Sequence, residues 1–101
     1  MDEQRRVAEF VATHDMEAEP AYRLLDLQCE LGELAKEVCE STDYGGRPAD
    51  VTVSDDELGD ALFALLALAG SLDIDAGAAL ETSLAKYEGR IEETGDAASG
   101  R

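Results

Sequence analysis

The sequence has no tryptophan, and aromatic residues make up only 5% of its 101 positions. A core must therefore be built chiefly from Leu, Ala and Val. Lysine is also scarce: Lys36 and Lys86 are the only two. The 8 basic residues face 24 acidic ones, for a formal net charge of −16. A surface of that sign repels nucleic acid and anionic membranes, which argues against both as partners. An acidic, lysine-poor, alanine-rich chain suits a high-salt (halophilic) cytoplasm, where screening weakens self-repulsion. His14 is the only histidine. That removes the Glu-x-x-His pairs of a di-iron bundle and the His or Cys clusters of a zinc site. Cys29 and Cys39 are the only cysteines. On one helix they would lie ~15 Å apart, too far for a disulfide. With no signal-peptide pattern, they point to a reducing, cytoplasmic setting. No apolar run approaches the ~20 residues that span a membrane.

What is present has helical period throughout. Residues 2–14 carry Val7, Phe10 and Val11 at i, i+3, i+4, with Asp2 and Glu3 in the first turn. Pro20 suits the first turn of a second helix, running to Ser41. Its Leu24, Leu27, Leu31, Leu34 and Val38 form one apolar stripe. Asp43 to Pro48 reads as a loop. Ser54-Asp55-Asp56-Glu57 is a capping-box pattern opening a third helix. The run Ala61 to Ala69 is apolar on all sides, which predicts burial in a bundle, at an oligomer interface, or both. A fourth helix is predicted over 76–93, with Ala76, Leu80, Leu84, Tyr87 and Ile91 as its core stripe. The chain reads as one all-α domain over 1–93, a bundle of about four helices completed by oligomerisation. Residues 94–101 read as a flexible tail.

Two acidic stretches stand out, Glu30-Leu31-Gly32-Glu33 and Glu57-Leu58-Gly59-Asp60. Each sets two carboxylates at i and i+3, side by side on a helix. Facing each other, the pairs would make an oxygen-rich site for a hard divalent cation. Asp26, Glu30, Glu33 and Glu37 share one stripe beside the apolar seam. In so acidic a protein, Glu30 and Glu33 can equally be a solvated face, and Glu57 can serve the capping box alone. Asp60 is harder to dismiss, because the helix turns wholly apolar just beyond it and a lone buried carboxylate is costly. Gly32 costs about 1 kcal/mol against Ala inside a helix, which suggests close packing against its backbone. Lys86 and Arg90, at i and i+4 with Tyr87 between, either neutralise Glu81, Glu88 and Glu93 or clamp a phosphate.

The double motif Leu27 to Leu34 and Asp56 to Phe63 resembles the MazG family of nucleoside triphosphate pyrophosphohydrolases, over about residues 24–90. The resemblance implies an all-α fold assembled as a homodimer or homotetramer. It implies hydrolysis of a nucleoside or deoxynucleoside triphosphate to the monophosphate and pyrophosphate, a nucleotide-pool house-cleaning activity that depends on Mg²⁺ or on Mn²⁺ in its place. Glu30, Glu33, Glu57 and Asp60 would be the metal ligands, Glu33 the general base, and Lys86 and Arg90 the triphosphate-holding pair. The family's lysine four residues before the second motif is Val53 here, so that contact is missing or comes from Arg47. The alternative function is a non-enzymatic acidic helical module that binds a partner protein.

Overall fold

In a computed structural model that describes residues 1–96, the chain forms four α-helices. They are α1 (Asp2–Thr13), α2 (Pro20–Ser41), α3 (Asp55–Ser71) and α4 (Ala76–Thr94), with a short 3₁₀ turn at Pro48–Asp50. The fold is all-α, as the periodicity predicts. Residues 97–101, most of the predicted tail, lie outside the described residues; Gly95 at φ 76° ends α4 in the left-handed conformation that glycine adopts freely.

The helix starts follow local chemistry. Glu19 is extended and Pro20 opens α2, where its missing N–H removes no hydrogen bond. Ser54 caps α3 by accepting the Glu57 N–H, and Asp75 caps α4 by accepting that of Ala78. Three side chains then fix the connections. Arg23, only 7% exposed, donates from Nη2 to the Met16 carbonyl and ties the α1–α2 turn to α2. Gln4 on α1 donates to the Ile74 carbonyl at 2.8 Å and accepts from the Ala76 N–H at 2.8 Å, anchoring the α3–α4 turn. Phe10 on α1 meets Phe63 on α3 edge to face at 6.0 Å.

The closest packing is between α2 and α3, with α1 laid against α3. The interior is made of Ala61, Ala64, Leu66 and Ala67, all from α3. Small side chains there let the helices approach closely. Within the single chain the apolar run of α3 is covered only in part: Leu62 and Leu65 are each 48% exposed. Among the described residues, the main packing against α3 comes from α2 and α1. The α4 axis turns away from α3 through 103°, leaving Leu80, Leu84 and Ile91 about half exposed. The radius of gyration is 16.5 Å, against about 13 Å for a compact domain of this length. No single helix is long and apolar enough to cross a membrane.

Candidate metal centre

The packing of α2 on α3 brings the two acidic motifs together. Glu30, Glu57 and Asp60 each offer a carboxylate oxygen, and these three atoms lie within 4.8 Å of one another. Glu30 and Glu57 are half-buried and Asp60 is exposed. Asp60 therefore stands at the rim of the apolar stretch rather than inside it. Glu33 lies outside the trio, yet it acts on it. Partial burial, then the charges of Glu33, Glu37, Asp60 and Asp56, raise the Glu57 carboxyl above its ordinary value of 4.5. So many like charges crowded on one carboxylate favour either a proton or a cation there. The donor set is all oxygen, which fits a hard divalent ion such as Mg²⁺.

The capping box at Ser54 is only half built from the two residues that the sequence pairs. The Ser54 hydroxyl accepts the Glu57 N–H at 3.2 Å, as the pattern predicts. In a full box the Glu57 side chain would return to the Ser54 N–H. Instead that N–H goes to Glu37 Oε1 at 2.9 Å, and the Ser54 hydroxyl donates to the same oxygen at 3.2 Å. The capping reading of Glu57 thus holds for its backbone and not for its carboxylate. One turn further along α2, Ser41 Oγ accepts the Thr52 N–H at 3.0 Å. Sequence reading places Glu37 on the acidic stripe but gives it no task. Its partner sits 17 residues downstream, beyond any local pattern.

The close packing expected at Gly32 is not found. A Cβ built on Gly32 or on Gly59 meets nothing within 4 Å, so both motif glycines face open space. Beside Asp60 a cleft of about 620 Å³ opens between α1 and α3, lined by Arg6, Phe10, Asp60 and Phe63 among others. The basic pair lies elsewhere. Lys86 and Arg90 flank Tyr87, at 5.0 and 5.7 Å from its ring centre. Among the described residues neither makes an ion pair with an acid, and Arg90 Nη1 is buried without a hydrogen-bond partner. At 1.5 Å per residue, with a 103° turn between α3 and α4, the Lys86 and Asp60 backbones stand on the order of 20 Å apart. Arg47 forms an exposed ion pair with Asp50 at 3.4 Å.

No protein-family profile matches the chain. Over 75 residues it is 40% identical to YpjD of Bacillus subtilis (strain 168), a protein named as uncharacterised. That stretch is 70% of this chain and 66% of YpjD, just under two thirds of its length. The crystal structure of YpjD from Bacillus subtilis, described as a candidate pyrophosphatase, matches this fold with a TM-score of 0.70 at 34% sequence identity. The match covers 85% of this chain and 88% of that one.

Proposed function

Because the chain belongs to the YpjD family, we propose that it is a MazG-like pyrophosphohydrolase, cleaving nucleoside triphosphates to the monophosphate and pyrophosphate. The observation that carries the reading is the meeting of Glu30, Glu57 and Asp60 from two separate helices. In the proposed site these three hold Mg²⁺ or Mn²⁺, with Glu33 as a fourth carboxylate. A bound divalent ion supplies charge that offsets the negative charge developing on the phosphates. The protein's own part is to orient the chain of phosphates and to accept a proton. Glu33 receives the proton of a water whose oxygen attacks the α-phosphorus. The bond from that phosphorus to the bridging oxygen breaks, and pyrophosphate departs.

Lys86 and Arg90 steady the leaving pyrophosphate in this proposal. One chain sets them far from the acids, so the proposal includes assembly as a homodimer or homotetramer in which a second copy brings them in. One observation supports that step: the half-exposed apolar side chains of α3 and α4. The cleft beside Asp60, with Phe10 and Phe63 on its wall, is the space proposed for the nucleoside.

A panel of canonical and damaged nucleoside triphosphates, incubated with purified protein and Mg²⁺ at high salt, tests the reading. Pyrophosphate release is expected for at least one. Asp60→Asn should abolish it while the helical circular-dichroism signal stays. A protein that releases nothing across the panel, and melts identically with Mg²⁺ and with matched monovalent salt, is the acidic interaction module instead.

A further inference from the structure

The half-built capping box has a chemical reason that the metal centre supplies. A helix opening Ser-x-x-Glu ordinarily spends both side chains on itself: the serine on the glutamate N–H and the glutamate on the serine N–H. In α3 that would fold the Glu57 carboxylate back onto Ser54 and away from Glu30 and Asp60. Glu37 of α2 occupies the second half of the box instead. Its Oε1 accepts both the N–H and the hydroxyl of Ser54, while the Ser54 hydroxyl still accepts the Glu57 N–H. A hydroxyl has one proton to give and two lone pairs to receive, so the arrangement uses it consistently.

The geometry extends beyond one residue. Glu37 and Ser41 are one turn apart on α2, an axial rise of about 6.0 Å. Residues 52 and 54 are two apart on an extended segment, about 6.6 Å. The two spacings match, so Glu37 meets the Ser54 N–H while Ser41 meets the Thr52 N–H. The segment is strapped antiparallel along α2, and the strap sets where α3 begins.

We propose that Glu37 is a positioning residue for the metal centre: it replaces Glu57 in the α3 capping box, frees the Glu57 carboxylate to meet Glu30 and Asp60, and fixes the register of α3 against α2. The inference rests on the metal-centre reading above. It assigns Glu37 no contact with metal or substrate.

Two measurements test it. The first needs no metal: amide hydrogen exchange at Ser54. In Glu37→Ala the Glu57 carboxylate is released to fold back onto Ser54, so this amide stays protected. In Glu37→Ala/Glu57→Ala it exchanges at least tenfold faster. Equal exchange in the two variants means that Glu57 never takes the vacated place, and overturns the proposal. The second is the Mg²⁺ dissociation constant by calorimetry. Glu37→Ala weakens binding about 10- to 100-fold, as loss of an outer-shell support does. Glu37→Gln, whose amide oxygen still accepts, stays within about threefold of the parent. Glu37→Gln as weak as Glu37→Ala makes Glu37 a ligand and overturns the proposal. A Glu37→Ala variant with lowered melting temperature but unchanged affinity does the same, as does a parent protein that binds no Mg²⁺. A parent that binds Mg²⁺ and releases no pyrophosphate instead removes the assigned reaction and leaves the assignment of Glu37 standing on these two results.

Discussion

The motif glycines offer a sharp test of the packing. Gly32 and Gly59 lie inside helices and neither has a positive φ. A methyl group on either meets nothing within 4 Å in the single chain. Replacing each by alanine therefore removes backbone freedom from the unfolded chain at no steric cost. The gain should be the helix-propensity difference, about 0.8–1.0 kcal/mol per site. For a domain of this size that is a rise in melting temperature of roughly 4–8 °C. The assay is a thermal melt by circular dichroism, in chelator, at a protein concentration where sedimentation shows a monomer. Gly77→Ala is the contrasting control, because its Cβ would stand 3.3 Å from Asp75 Oδ1 and 3.4 Å from Met1 Cβ. A fall in melting temperature for Gly32→Ala or Gly59→Ala would refute the reasoning, since it would require an atom of the same chain where the structure has open space. A variant that gains stability but loses pyrophosphate release would instead identify that space as the one the substrate enters.

Three further outcomes follow from the geometry. Mg²⁺ that binds only the folded chain should stabilise it by about 2.7 kcal/mol at a hundred times its dissociation constant; Asp60→Asn should abolish that increment, read as the Mg²⁺-induced shift in melting temperature. Because the folded state raises the Glu57 carboxyl above 4.5, the native chain binds a proton there more readily than the unfolded one. Metal-free stability should therefore fall as pH rises from 4.5 through the raised value, and the difference between parent and Glu57→Gln in a pH series of melts isolates that share. Leu66 is 3% exposed and lines the cleft beside Asp60 as well as a smaller one bounded by Val11, Arg23 and Ser71; Leu66→Ala should cost about 2–3 kcal/mol, the low end for such truncations because the gap opens onto existing clefts, measured by urea denaturation.

Three of the four helix starts were legible because they carry their own chemistry: proline at 20, serine at 54, and an aspartate at 73 or 75, of which Asp75 is the cap. The two i, i+3 carboxylate pairs were legible, but not that they meet: the packing of α2 on α3 brings Glu30, Glu57 and Asp60 together and leaves Glu33 outside the trio. The role of Glu37 was not legible either. Ser54 and Glu57 complete a local pattern on paper, and the acceptor that displaces half of it arrives only through the packing of α2 on α3. The position of Lys86 and Arg90 was equally hidden, because spacing within α4 says nothing of the 103° turn that precedes it. The half-exposed leucines of α3 show the same limit. An apolar run reports that burial is needed, not which chain provides it.

The strap along α2 also says where this protein can change its length over evolution. The loop from Asp43 to Asp50 begins just after Ser41 and ends just before Thr52, two residues already joined by a hydrogen bond. An insertion between Pro48 and Asp50, where every residue is exposed, lengthens a loop whose ends stay pinned; even doubling it costs only about 0.6 kcal/mol in closure entropy. A single residue added between Thr52 and Ser54 would lengthen the extended strap by about 3.3 Å, so the two hydrogen bonds to Ser41 and Glu37 could no longer form together and α3 would lose its register against α2. Insertions and deletions in descendants of this chain should therefore gather on one side of Thr52 and stop there.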